Sequence, residues 1–143
     1  MDYLTLAAQL FHEQMKLFRA KGHQQFYNLA CGEMYTLFLL EQAGGTLQPG
    51  GISDAMNVTT ACVASTLRSM ERKCLISREI SRQDRRYVDV AITPEGRERI
   101  GCACDKALGD LERILVRLGE KEAMEYLALV SRLAELLNEA EEE

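Results

Sequence analysis

The chain has no tryptophan and only two prolines, and its two histidines and odd set of five cysteines each argue against a class of function. His12 and His23 stand eleven residues apart, far from the i, i+4 spacing of a helical metal pair. Cys31, Cys62, Cys74, Cys102 and Cys104 form no CxxC pair and have no histidine cluster, which argues against both a disulfide framework and a zinc knuckle. Each thiol is expected as a small, reduced, part-buried side chain. No nucleophile–base set or phosphate-cradling glycine loop is present, so the sequence points away from an enzyme and calls for no metal or cofactor. An apolar run of about 18 residues, the least a spanning helix needs, is missing. Charges interrupt "MDYLTLAAQLFHEQMKLF" where a signal peptide needs its apolar core. The expectation is a soluble, cytoplasmic protein with no membrane partner.

What is present suits one domain: 143 residues, 47% of them hydrophobic, enough to bury a core. The formal charge is -5, but it is unevenly spread. Residues 1–50 sum to -1, residues 51–92 to +2 and residues 93–143 to -6. The middle stretch is the one place where an acidic chain could meet phosphate.

Apolar spacing predicts a helix over about 2–20 (Tyr3, Ala7, Leu10, Phe11, Met15, Phe18) and a second over about 31–42, stopped at Gly44-Gly45. "TLQPGG" reads as loop, and "GISDAMNV" as a short helix ended by Asn57, a residue that tolerates positive φ. Thr59 is an N-cap candidate for a helix over about 60–73. On that helix Val63, Leu67, Met70 and Cys74 share one face, and Ala61, Ser65, Arg68 and Arg72 share the opposite one. Two short helices across a tight turn are the pattern of a helix-turn-helix. "LISREIS" and "YVDVAIT" alternate as strands with "RQDR" at the tip between them. Thr93-Pro94 opens the first of two long helices, about 94–118 and 121–138, broken at Gly119.

That order resembles the multiple antibiotic resistance regulator (MarR) family of winged helix-turn-helix transcription factors. The resemblance is carried by "ISDAMNVTTACVASTLRSMERKCLISREISRQDRRYVDVAITPEG", above all by "DRR" followed by "TPEG", with "LACGEMYTLFLL" similar to the family's second helix. Motif-level similarity covers about residues 29–96, and the helix order covers almost the whole chain. The resemblance implies a mainly α fold with a small β-hairpin wing, a DNA-binding lobe over about 29–96, and a dimerisation region of helices over about 1–20 and 97–143. It implies no catalysis, a homodimer and double-stranded DNA as partner, with one recognition helix of each subunit in a major groove. Candidate DNA contacts on that helix are Thr59, Thr60, Ala61, Ser65, Arg68 and Arg72. Ser65 departs from the family, where a basic residue is common at that place.

In the wing, the family pairs the aspartate with the second residue after it, here Asp84 with Arg86, and sends that arginine into the minor groove. A narrow hairpin tip fits such a groove, whose negative potential attracts guanidinium. Arg82 and Arg85 are then placed for the phosphate backbone. Family members often bind small aromatic or lipophilic effectors between the dimer arms and the DNA-binding lobe. Phe11, Met15, Phe26, Tyr27, Met34 and Phe38 are the candidates for that role, although a stripe of this kind also suits plain core. Cys31, in the first turn of its predicted helix, is the thiol best placed for oxidant sensing. The expected function is a repressor-type transcriptional regulator binding a pseudo-palindromic operator. The alternative is a winged-helix module that has lost DNA and binds protein, and salt-dependent binding to duplex DNA separates the two.

Overall fold

In the computed structural model, which describes residues 1–141, seven helices and three short strands follow one another. They are α1 (Tyr3–Arg19), α2 (Lys21–Leu29), α3 (Gly32–Gln42), β1 (Thr46–Leu47), α4 (Pro49–Met56) and α5 (Thr60–Arg72). Then come β2 (Ile76–Ile80), β3 (Val88–Ile92), α6 (Pro94–Leu118) and α7 (Glu120–Glu141). The fold is mainly helical with a small antiparallel sheet, as expected. Two compact units emerge, Met1–Ala107 and the stretch from Leu108 onward. The last two residues of the expected dimerisation region lie outside the described residues.

The core of the first unit is built by the apolar faces predicted from spacing. Leu37 and Leu40 of α3, Ile52 of α4, and Val63, Leu67 and Met70 of α5 form one cluster with Leu75, Ile76, Val90, Ile92 and Ile100. Full burial of one such side chain contributes about 1.5–3 kcal/mol, so this cluster holds the lobe together. The sheet runs in the order β1-β3-β2, with Ile76 opposite Ile92 and Ile80 opposite Val88. Ile76, Val90 and Ile92 point inward while Ile80 and Val88 stand outside.

One helix was not anticipated, and several expectations need correction. A separate helix, α2, occupies residues 21–29; its Lys-Gly-His-Gln-Gln start carries no apolar stripe, and Ala20 breaks the path with an extended ψ of 136°. "TLQPGG" is not simple loop: Thr46 and Leu47 pair with Ala91 and Val90, a contact across the chain that no local pattern announces. Pro49 then begins α4 at its first position, where a missing N–H costs nothing. Cys74 leaves the α5 face, since its φ of 60° places it beyond the helix end and exposed. The thiols are not uniformly part-buried: Cys31, Cys62, Cys74 and Cys102 are exposed, and only Cys104 is half-buried, where burial raises its thiol pKa.

Candidate nucleic-acid interface

The turn between α4 and α5 is closed from both sides. Asn57 takes the left-handed conformation (φ 52°, ψ 46°) that ends α4, as its residue type suggests. Thr59 caps α5, its hydroxyl accepting from the Cys62 N–H at 3.2 Å. Ser53, buried on α4, adds a bond that sequence reading missed: its hydroxyl donates to the Val58 carbonyl at 2.7 Å, and the Val58 N–H donates to the Ser53 carbonyl. Its only signal in the sequence was a serine beside Ile52. The turn therefore sets the start of α5 rigidly.

With Val63, Leu67 and Met70 in the core, the other face of α5 is left outside. Thr60, Ala61, Ser65, Arg68 and Arg72 are all exposed. Ser65, Arg68, Glu71 and Arg72 line one shallow hollow on this face. Glu71 was not among the expected residues. Its carboxylate accepts from Arg78 Nε of β2 at 3.2 Å and joins the end of α5 to the wing.

The wing tip is organised by Ser81, a buried residue that sequence reading also missed. Its Oγ accepts from the N–H groups of Gln83 (3.3 Å) and Asp84 (3.4 Å), and its own N–H donates to the Tyr87 carbonyl. Asp84 then receives Arg86 four times over. Its Oδ1 accepts from the Arg86 backbone N–H at 3.1 Å and from Nε at 3.0 Å, and its Oδ2 accepts from Nε at 3.2 Å and Nη2 at 2.7 Å. The Arg86 side chain holds Asp84 below the ordinary carboxylate range, and Asp84 in turn raises the guanidinium. Tyr87 lies with its ring 5.9 Å from the guanidinium carbon. The side chain of Arg86 is nonetheless 82% exposed, so the pairing fixes its direction without burying it. Arg82 and Arg85 stand exposed beside Ile80 and Ser81.

The charge pattern is what matters. Residues 51–92 carry seven cations. Lys73 is bound to Glu33, Arg78 to Glu71 and Arg86 to Asp84. Among the described residues, Arg68 and Arg72 on α5 and Arg82 and Arg85 on the wing tip have no ion-pair partner. The structure thus leaves free cations on the two elements that the sequence singled out.

The other candidates scatter. Met34 and Phe38 pack against the core cluster. Tyr27 lines a hollow with Phe18, Gln24 and Asn28, while Phe11, Met15 and Phe26 stand exposed. Phe18 and His23, neither of them among the expected pocket residues, meet edge to face at 5.1 Å. Cys31 is the N-cap of α3 rather than a first-turn residue, and its thiol donates to the Tyr27 carbonyl at 3.6 Å. Among the described residues no group of three potential metal ligands comes together, and no helix is long and apolar enough to cross a membrane.

Comparison with known proteins gives a consistent picture. Residues 32–88 match the model of the MarR family. YwaE of Bacillus subtilis, an uncharacterized HTH-type transcriptional regulator, is 26% identical over 103 residues, covering 70% of this chain. The match spans 59% of YwaE, about three-fifths of its length. FabT of Streptococcus pneumoniae, solved in complex with DNA, is 26% identical with a TM-score of 0.71, over 97% of this chain and 95% of that one. A MarR family protein from Bacillus stearothermophilus has the same fold, with a TM-score of 0.76 at 20% identity, over 96% of this chain and 99% of that one.

Proposed function

We propose that this chain, whose residues 32–88 match the MarR family, is a MarR-family DNA-binding transcriptional regulator that works as a homodimer. The observation that carries this reading is the set of free cations, Arg68 and Arg72 on α5 and Arg82 and Arg85 beside the Asp84–Arg86 clamp. Helix α5 is the major-groove reader, with Arg68 placed for a bidentate pair with guanine. The wing tip carries Arg86 to the minor groove, whose narrow, negative interior favours a directed guanidinium.

Exposed apolar side chains support the second copy. Helices α1 and α7 bury no residue in the single chain. They nevertheless present Tyr3, Leu4, Leu10 and Phe11, and Leu127, Leu129, Leu133 and Leu137, each more than half exposed. A second chain is the natural cover for such surfaces. Two copies then meet half-sites about one DNA turn, ~34 Å, apart on a pseudo-palindromic operator. The regulator acts as a repressor, released by a small aromatic or lipophilic effector that meets the aromatic residues of α1 and α2, of which Tyr27 already lines a hollow.

Selection of bound duplexes from a random pool, followed by titration at two salt concentrations, tests the DNA reading. The expected result is a two-fold-symmetric consensus and affinity that falls steeply with salt. A chain that binds no duplex at low salt would instead be a winged-helix interaction module. Sedimentation at micromolar concentration tests the dimer, and a stable folded monomer would refute it.

A further inference from the structure

Glu33 stands in the first turn of α3, yet its carboxylate is spent on another helix. One oxygen accepts from the Ser69 hydroxyl of α5 at 2.7 Å, and the other accepts from Lys73 Nζ at 2.8 Å. Lys73 is the C-cap residue of α5, so the two contacts grip that helix over its last turn. Ser69 and Lys73 lie on the flank between the buried stripe of Val63, Leu67 and Met70 and the exposed stripe of Ser65, Arg68 and Arg72. The pair with Lys73, and the positive charge of Arg99 on α6, lower the Glu33 pKa, and its side chain is 26% exposed. The Ser69 contact is part-buried, while Lys73 stays about half exposed.

The core stripe fixes which face of α5 is buried, and directional polar contacts add to its hold on the roll of the helix about its axis. A roll of roughly 20° would carry a group about 6 Å from that axis by ~2 Å. That displacement is enough to spoil a bidentate contact of Arg68 with a base. Thr59 fixes the start of α5, and a two-point polar grip at the other end fixes the roll.

We propose that Glu33 is a positioning residue for sequence reading: through Ser69 and Lys73 it sets the roll of α5 and so the direction of Arg68 and Arg72. Glu33 touches no base in this role. It also withholds Lys73 from phosphate, trading a cation for orientation. The inference rests on the DNA-binding reading, and its test separates the two.

The test uses the full chain and two duplexes, one selected from a random pool by the parent and one scrambled at equal composition. Glu33→Gln keeps an acceptor for Ser69 but drops the charge and releases Lys73. The expected result is a loss of discrimination between the duplexes of about 3- to 10-fold, the scale of one partly shielded charged contact. Binding to the scrambled duplex should hold or tighten, with a steeper salt dependence as Lys73 becomes free. Ser69→Ala, a milder change on the partner side, should lower discrimination while leaving scrambled binding unchanged. Both variants should show faster amide exchange in the last turn of α5 with no DNA present. Equal weakening on both duplexes, or unchanged discrimination with unchanged exchange, would overturn the proposal. A parent that selects no duplex from the pool would sink the DNA reading, and the exchange measurement would still decide whether Glu33 holds α5.

Discussion

Replacing Gly96 by alanine should destabilise the lobe, although the same change five residues later should stabilise it. Gly96 sits in the first turn of α6, where its N–H donates to the Thr93 hydroxyl at 3.1 Å. A Cβ built there would come within 2.9 Å of Ile92 Cγ1 and 3.2 Å of the Leu75 carbonyl carbon, and closer still to the Leu75 oxygen. That oxygen cannot retreat freely. It accepts from the Thr93 N–H at 3.1 Å, and the neighbouring Cys74 carbonyl accepts from the Thr93 hydroxyl at 2.6 Å. Overpacking against backbone costs about 1–3 kcal/mol, and a strained or lost hydrogen bond adds about 1 kcal/mol. The helix preference of alanine over glycine returns at most ~1 kcal/mol, less in a first turn. The net is a loss of roughly 2–3 kcal/mol, or a fall in Tm of about 5–12 °C for a chain of this size. Gly101, exposed on the same helix with nothing within 4 Å of its added Cβ, supplies the control. Its alanine variant should gain up to ~1 kcal/mol. Urea and thermal denaturation at one fixed protein concentration read both, since dimerisation makes Tm concentration-dependent. A Gly96→Ala chain as stable as its parent would refute the close approach of α6 to Leu75.

Other expectations follow from the same geometry. Arg86→Ala should weaken binding to a selected duplex by roughly 1–3 kcal/mol with thermal stability nearly unchanged. Asp84→Ala should lower only discrimination, holding or raising affinity for random duplex, and equal behaviour of the two variants in competition binding would count against the clamp. In a dimer, Arg82→Ala should flatten the plot of log affinity against log salt by about 2, one phosphate per copy, whereas Lys73→Met should leave the slope alone because Glu33 already holds that cation. Thr59→Ala removes the α5 cap and should cost about 1 kcal/mol in denaturant titrations. Glu33 and Asp84 both have lowered pKa values, so what they contribute is complete above the ordinary carboxylate range and is lost as pH falls through the lowered values. A pH titration of stability and binding should therefore be flat for these two groups near neutrality and decline below about pH 4.

The parts of the fold legible in the sequence were those written in a local period or a cap. The α5 faces apart from Cys74, the Asn57 stop, the Thr59 cap and the presence of the two wing strands needed only neighbours a few residues away, and the structure bears them out, although burial along each strand is graded from one end rather than alternating. The missed parts depend on distant partners. β1 is two residues long and exists because Ala91 and Val90 offer an edge. Helix α2 has polar residues at its start and buries none of its own. Ser53, Ser81 and Glu33 look like ordinary polar residues until the backbone groups, or in the case of Glu33 the Ser69 and Lys73 side chains, that they serve are in place. The glycine of "TPEG" was read as part of a motif, but its physical reason, the Leu75 carbonyl, is a residue far back in the chain.

An acidic chain can meet an acidic polymer because net charge is the wrong quantity to consult. Interactions between exposed charges fade over a Debye length of about 10 Å at ordinary ionic strength, so a phosphate responds to the groups beside it. Beside α5 and the wing tip those groups include Glu71, four arginines that have no ion-pair partner among the described residues, and a fifth, Arg86, whose pairing differs in kind from that of Lys73. Lys73 gives its ammonium to Glu33, across to another helix. Arg86 gives Asp84 its Nε and one terminal nitrogen, a fork that leaves further N–H donors of the five on an exposed guanidinium. The aspartate removes much of the rotational freedom that a free arginine would lose on entering a groove, and the donors needed there are kept. Asp84 thus lowers the net charge of the tip while making its remaining donors more specific. A tally of +2 for residues 51–92 records the first effect and hides the second.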